Sequence, residues 1–327
     1  MAIKALAWMV RIFEPPVYCY HEIVHNRLVV EEFQRQGVVF VDDVDDVPDG
    51  APLMLSAHGS APEVEAAAAT RSRTVVNAVC PLVTKVHHEL KVRASKGYTV
   101  VYVGHAGHEE AIGTMAVAPT SVRLVESEAD VDALEGVEMP VALLAQTTLP
   151  HDEWLGVAAR ARERFPELWM PGRSDLCYAT TNRQAALRAI AGRCDAVVVI
   201  GSANSSNTVS LAHVATATGC ARVLRVNAAS ELPDDLAGVV GVTAGASAPE
   251  WLVDEVLARL APASGVEIVR TVEEQEYFPP PPELRELLRA VASAASVGLG
   301  VAPSGPHASA DDRTVAASRL LAGTVPA

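Results

Sequence analysis

A chain of 327 residues, half of them hydrophobic, is long enough for two or three small lobes with a sizeable core. Aromatic residues make up only 5%, so Ala, Val and Leu must fill that core, and a formal charge of −14 argues against nucleic acid or an anionic membrane as partner. No apolar run approaches the roughly 20 residues of a membrane span, no signal peptide is legible, and five widely spaced cysteines read as reduced thiols in the cytoplasm.

Met1 to Phe13 carries Lys4 and Arg11 within an apolar pattern and reads as a buried helix. A strand then ends in the polar turn Tyr20-His21-Glu22-Ile23-Val24-His25-Asn26, and after a helix a second strand is expected at Val38 to Val41. A third strand ends at Leu55-Ser56-Ala57-His58-Gly59, followed by Ser60-Ala61-Pro62-Glu63, a favourable helix start with Pro near its first position.

The pattern recurs twice. The second copy has Gly104-His105-Ala106-Gly107-His108-Glu109-Glu110, a strand at Val122 to Val125, and the turn Leu144-Ala145-Gln146-Thr147-Thr148. The third has Gly201-Ser202-Ala203-Asn204-Ser205-Ser206-Asn207, a strand at Val223 to Val226, and Val242-Thr243-Ala244-Gly245-Ala246-Ser247. The expected fold is α/β: a three-lobed, pseudo-threefold repeat of small α/β units around a central cluster site where strand C-termini converge. The lobes are placed at 1–73, 74–170 and 171–290. The third closes around Val266 to Val269, and Phe278-Pro279-Pro280-Pro281-Pro282 leads into a helix from Glu283 to Val291. An Ala-, Ser- and Gly-rich tail over 291–327 is expected to be mobile.

Two cysteines obey the repeat: 28 residues separate Cys80 from His108, and 28 separate Cys177 from Ser205, its matching residue. Applied to His25, the spacing places the first copy's cysteine at position −3, so a third cysteine is expected just upstream of Met1. Taken alone, Cys80 and Cys177 read as ordinary buried thiols, but their equal spacing favours thiolate ligands of an iron–sulfur cluster. Cys19, inside a strand, falls out of register, and Cys194 and Cys220 have no repeat partner.

His25, His58 and His108 each belong to a polar turn at a strand end, and Thr147, Ser205, Asn207 and Ser247 extend the set. Neutral donors backed by helix N-termini can hold a diphosphate without Lys or Arg. No HxxxH pair on a helix and no CxxC supports zinc instead. Glu110 is a candidate proton donor if half-buried beside an anion, where its pKa should rise, and Glu109 is its confounder.

These motifs resemble the 4-hydroxy-3-methylbut-2-enyl diphosphate reductase family, which catalyses the last step of the non-mevalonate isoprenoid pathway. The resemblance runs from about residue 2 to 285. It rests on His21-Glu22-Ile23-Val24-His25-Asn26, Ser56-Ala57-His58-Gly59, Cys80-Pro81-Leu82-Val83-Thr84-Lys85-Val86-His87, Gly104-His105-Ala106-Gly107-His108, Gln146-Thr147-Thr148, Cys177-Tyr178-Ala179-Thr180-Thr181-Asn182-Arg183-Gln184, Asn204-Ser205-Ser206-Asn207 and Gly241 to Pro249. It implies a [4Fe-4S] cluster held by three cysteines, two matching Cys80 and Cys177. It further implies a two-electron reductive dehydroxylation giving isopentenyl and dimethylallyl diphosphates, with electrons from a donor such as ferredoxin or flavodoxin. His25, His58, His108, Ser205, Ser206, Asn207 and Ser247 match its diphosphate-binding set, Thr147 a residue near the substrate hydroxyl, and Glu110 the proton donor. The family's opening Pro-Arg-Gly-Phe/Tyr-Cys-Ala-Gly-Val loop has no match here, Ala2-Ile3 fitting just after it, while Glu109 and Tyr20 replace the usual Pro and Arg. The alternative reading is a diphosphate-binding paralogue without redox activity that has lost one cluster cysteine.

Overall fold

The computed structural model describes residues 1–273, 276–299 and 317–321. Its elements begin with α1 (Ala2–Ile12), β1 (Val17–Tyr20), α2 (Arg27–Arg35), β2 (Val38–Val41), β3 (Leu53–Leu55), α3 (Pro62–Arg71) and β4 (Val75–Asn77). The second copy comprises α4 (Pro81–Ser95), β5 (Thr99–Val103), α5 (Glu109–Val117), β6 (Val122–Val125), α6 (Glu128–Ala133), β7 (Val141–Ala145) and α7 (His151–Arg164). The third comprises α8 (Tyr178–Ala191), β8 (Ala196–Ile200), α9 (Ser206–Ala217), β9 (Val223–Val226), β10 (Val240–Ala244) and α10 (Glu250–Leu260). Then follow α11 (Pro282–Leu299) and α12 (Ala317–Leu321).

Among the described residues the strands form three wholly parallel sheets, ordered β2-β1-β3-β4, β6-β5-β7 and β10-β8-β9. The expected α/β repeat is present in its register. Tyr20 pairs with Val41, Val103 with Val125, and Ile200 with Val226, each the last residue of its strand. The next amide in each central strand donates to that partner's carbonyl: His21 to Val41 at 2.9 Å, Gly104 to Val125 at 3.0 Å, and Gly201 to Val226 at 2.9 Å. His25, His108 and Ser205 therefore stand at one position, the fifth residue beyond the central strand.

The chain divides into two compact units. One comprises Met1–Val24, Leu28–Pro81 and the described residues of Gln275–Ala327; the other comprises His25–Arg27 and the described residues of Leu82–Glu274. In the first unit, α1 buries Ala2, Leu6 and Met9, spaced along one helical face, in a core with Phe33, Met54 and Leu284. In the second, the residues of β7 and β8 are buried along their whole length, as sheets covered on both faces require.

Three features differ from the sequence expectation. β4 adds a fourth strand to the first sheet, pairing Leu55 with Asn77, beyond the boundary expected at 73. Around Val266 to Val269, where the third lobe is expected to close, Val266 and Ile268 are exposed. The helix expected to end at Val291 runs to Leu299, and Leu284 and Leu288, one turn apart, anchor its first half in the first unit's core. Within the expected tail, α12 buries Leu320 and Leu321, and Arg11 donates to the Leu320 carbonyl at 2.5 Å; the remainder, 300–316 and 322–327, lies outside the described residues. No described helix is long and apolar enough to cross a membrane.

Candidate functional site

In the second unit the loop after β5 turns into α5 at His108, which is the helix N-cap. Its Nδ1 accepts the Glu110 amide at 3.1 Å, which assigns the proton of the neutral ring to Nε2. The Gln146 side chain ties this loop to the turn after β7. Its Oε1 accepts the His105 amide at 2.9 Å and its Nε2 donates to Thr148 Oγ1 at 3.0 Å. Gly104 leaves room for that amide, since a Cβ there would lie 3.0 Å from Gln146 Oε1.

Glu110 is 2% exposed whereas Glu109 is half-buried, so helical geometry separates the two acids that sequence could not. Burying a carboxylate is costly unless hydrogen bonds compensate, and Thr147 supplies two. Its amide donates to Glu110 Oε1 at 2.6 Å, and its hydroxyl lies 3.0 Å from Oε2. Behind this pair, burial and then the charge of Glu110 push the Tyr102 phenol well above its ordinary value. One turn after Glu110, the buried Thr114 hydroxyl lies 3.1 Å from His87 Nε2. Burial, assisted by Lys91, holds that imidazole down to about 4, so it is neutral.

Cys177 caps α8, and its amide donates to the Thr147 carbonyl at 2.7 Å. Burial pushes its thiol up, as does the charge of Glu110, while the amides of Thr180 and Ala179 favour the thiolate. Lys85 on α4 fastens the preceding loop through the carbonyls of Arg173 at 2.8 Å and Ser174 at 3.2 Å, and through Asp175 Oδ1 at 3.0 Å. Asp175 Oδ2 accepts the Ala145 amide at 3.2 Å; burial raises this carboxyl's pKa against the opposing pull of Lys85.

The third copy supplies neutral polar groups. Ser205 caps α9, accepting the Thr208 amide at 3.4 Å, and Ser206 begins the helix. Asn207 is 5% exposed, and neither its Oδ1 nor its Nδ2 has a partner among the described residues. Such an orphaned amide at a helix N-terminus calls for a polar ligand. Ser247 donates to the His25 carbonyl at 3.4 Å, and the His25 ring stands edge-on to His108 with centroids 5.5 Å apart.

The second unit thus holds His25, His108, Glu110, Thr147, Cys177, Ser205, Ser206, Asn207 and Ser247. His58 and Cys80 belong to the first unit. His58 lies three residues past β3, and the Cys80 amide donates to the neighbouring Ala57 carbonyl at 3.0 Å, leading into α4. The two cysteines occupy matching places: each precedes a helix, and each amide binds the carbonyl two residues past the third strand of the preceding copy. No disulfide joins any of the five cysteines, and these two are half-buried thiols, donors suited to a thiolate-held cluster. Sequence reasoning did not find Gln146, Tyr102, Lys85 or Asp175 as individual site residues. Gln146 and Lys85 carried a signal, the one beside Thr147 in a polar turn and the other within the motif that begins at Cys80.

The family model described as LytB protein matches residues 1–261. The chain is 48% identical over 292 residues to 4-hydroxy-3-methylbut-2-enyl diphosphate reductase of Leifsonia xyli subsp. xyli, covering 87% of this chain and 86% of that one. It is 47% identical over 290 residues to the reductase of the same name from Mycobacterium leprae, covering 87% of both. Among solved structures, the E-1-hydroxy-2-methyl-but-2-enyl-4-diphosphate reductase of Plasmodium falciparum matches with a TM-score of 0.85 at 29% identity, over 89% of this chain and 94% of that one.

Proposed function

The chain belongs to the LytB protein family, and from that premise we propose that it is the reductase acting on (E)-4-hydroxy-3-methylbut-2-enyl diphosphate at the end of the non-mevalonate pathway. The allylic alcohol gains two electrons and two protons. Its C–O bond breaks, the oxygen leaves as water, and one new C–H bond gives isopentenyl or dimethylallyl diphosphate.

Cys80 and Cys177 are the residues of this chain that would hold the cluster. When bound, a [4Fe-4S] cluster would pass on the two electrons one at a time from an external donor and offer a Lewis-acidic iron. A carrier such as ferredoxin or flavodoxin delivers the electrons, and the enzyme works in the cytoplasm, a reading that five cysteines without a disulfide support.

The diphosphate set is His25, His58, His108, Ser205, Ser206, Asn207 and Ser247. Neutral donors and the α9 N-terminus suit an anion without burying a cation. Glu110, in its protonated form, supplies the proton for the departing hydroxyl, and Thr147, whose hydroxyl donates to the ionised Oε2 at 3.0 Å, orients it. Burial of Glu110 keeps bulk water from competing for that proton.

The observation that carries this reading is the triple role of Thr147: its amide and hydroxyl face Glu110 while its carbonyl accepts the Cys177 amide. The test is anaerobic reconstitution with iron and sulfide, measuring iron per chain and turnover with a chemical reductant. Cys177→Ser is expected to lose both. Unchanged iron loading and turnover in that variant would overturn the assignment.

A further inference from the structure

The third copy carries a packing arrangement that the other two lack. Gly201 follows β8 and Gly245 follows β10, and the two lie side by side, the Gly245 amide donating to the Ile200 carbonyl at 2.8 Å. Into the slot between them projects Thr208, the third residue of α9, with 0% exposure. A Cβ at Gly201 would lie 2.5 Å from Thr208 Oγ1 and 3.1 Å from its Cγ2, and a Cβ at Gly245 would overlap the same hydroxyl. Gly201 also has φ +146°, a backbone region that other residues rarely adopt. The Thr208 hydroxyl has no partner among the described residues, so it sits there by shape.

The matching positions show that the slot is specific to this copy. In the second copy the counterparts are Gly104, Gln146 and Ala111, and there the Gln146 side chain closes over the glycine. In the first they are His21, Ser56 and Leu28. The third copy alone combines two glycines with a threonine. That threonine directly follows Asn207, and its amide donates to the Ser205 hydroxyl.

We propose that Thr208 is a positioning residue, keyed between Gly201 and Gly245, that fixes the first turn of α9 so that Ser205, Ser206 and Asn207 present their polar groups to a diphosphate. The proposal rests on the diphosphate reading above. Space, and not hydrogen bonding, sets the position: a methyl group added at either glycine lifts the helix start away from the sheet end. Packed interiors tolerate such insertions poorly and transmit them to their neighbours.

The test is calorimetric titration of the reconstituted full chain with isopentenyl diphosphate. Gly245→Ala is expected to weaken binding by about tenfold. Removing the obstructing atoms in Gly245→Ala/Thr208→Ala is expected to recover most of that loss, a coupling that general destabilisation does not produce. Binding by the wild-type chain with no weakening in Gly245→Ala, or weakening that the second substitution fails to relieve, overturns the proposal. No binding by the wild-type chain overturns the diphosphate reading, and the proposal with it. Should Gly245→Ala fail to fold, Thr208→Ala decides: faster amide exchange over 205–209 with weaker binding is expected, and unchanged exchange with unchanged binding overturns the proposal.

Discussion

The Thr147 carbonyl accepts the Cys177 amide at 2.7 Å, so the turn that holds the Glu110 carboxylate is tied directly to the loop presenting a candidate cluster thiol. The proposed proton source and the proposed metal ligand are thus one hydrogen bond apart along the Thr147 backbone. A shift of either by a fraction of an ångström is felt by the other, and catalytic positioning is sensitive on that scale.

Glu110→Gln separates the proton from the scaffold. The amide oxygen still accepts the Thr147 N–H, so fold and product affinity should survive. Turnover should fall by about 10²–10⁴-fold, the usual loss on removing a positioned acid. Steady-state kinetics with a chemical reductant check this, and Glu109→Gln is expected to keep most of the activity because that side chain is outside the Thr147 grip.

Asn207→Asp keeps shape and adds a negative charge where the reading places a diphosphate. The Kd for isopentenyl diphosphate should rise by about 100-fold or more, since like charges meet in a partly desolvated site. Unaltered affinity would remove Asn207 from the binding set.

His87 makes stability depend on pH. Its folded pKa of about 4 lies below the unfolded value of 6.5, so the unfolded chain binds the extra proton between those limits. The contribution is fully present above about pH 6.5 and is lost as pH falls through about 4. The loss should be on the order of 1–3 kcal/mol. His87→Gln, which can still bond Thr114, should flatten the fall in Tm across that window.

Lys85 and Asp175 form a pair in which the carboxylate is 1% exposed and the ammonium 30%. Lys85→Met strands that buried carboxyl and should cost about 3 kcal/mol in urea unfolding. Asp175→Asn leaves no uncompensated charge and should cost about 1–2 kcal/mol. The order of the two losses is the check.

Most of the fold was legible because each copy sets apolar, β-branched strands against polar turns. Val38–Val41, Val122–Val125 and Val223–Val226 are strands at the residues expected, each beside its central strand. β4 escaped because three residues carry too little periodicity to register. The full length of α11 escaped because Ala and Ser beyond Val291 resemble linker composition, while the Leu284 and Leu288 anchor acts through tertiary contact. In the candidate site, the repeat and its 28-residue spacing singled out His25, His108, Ser205, Cys80 and Cys177. The Lys85–Asp175 pair joins residues 90 apart in the chain, and the Thr208 slot depends on volumes that no pattern of residue types encodes.

The most direct measurement is anaerobic turnover of the reconstituted protein in D2O with a titrated reductant and (E)-4-hydroxy-3-methylbut-2-enyl diphosphate. The account predicts isopentenyl and dimethylallyl diphosphates, each carrying one solvent deuterium on carbon, with two electrons consumed per molecule. Fully loaded iron with substrate recovered unchanged, or hydroxyl loss without consumption of reductant, would contradict it.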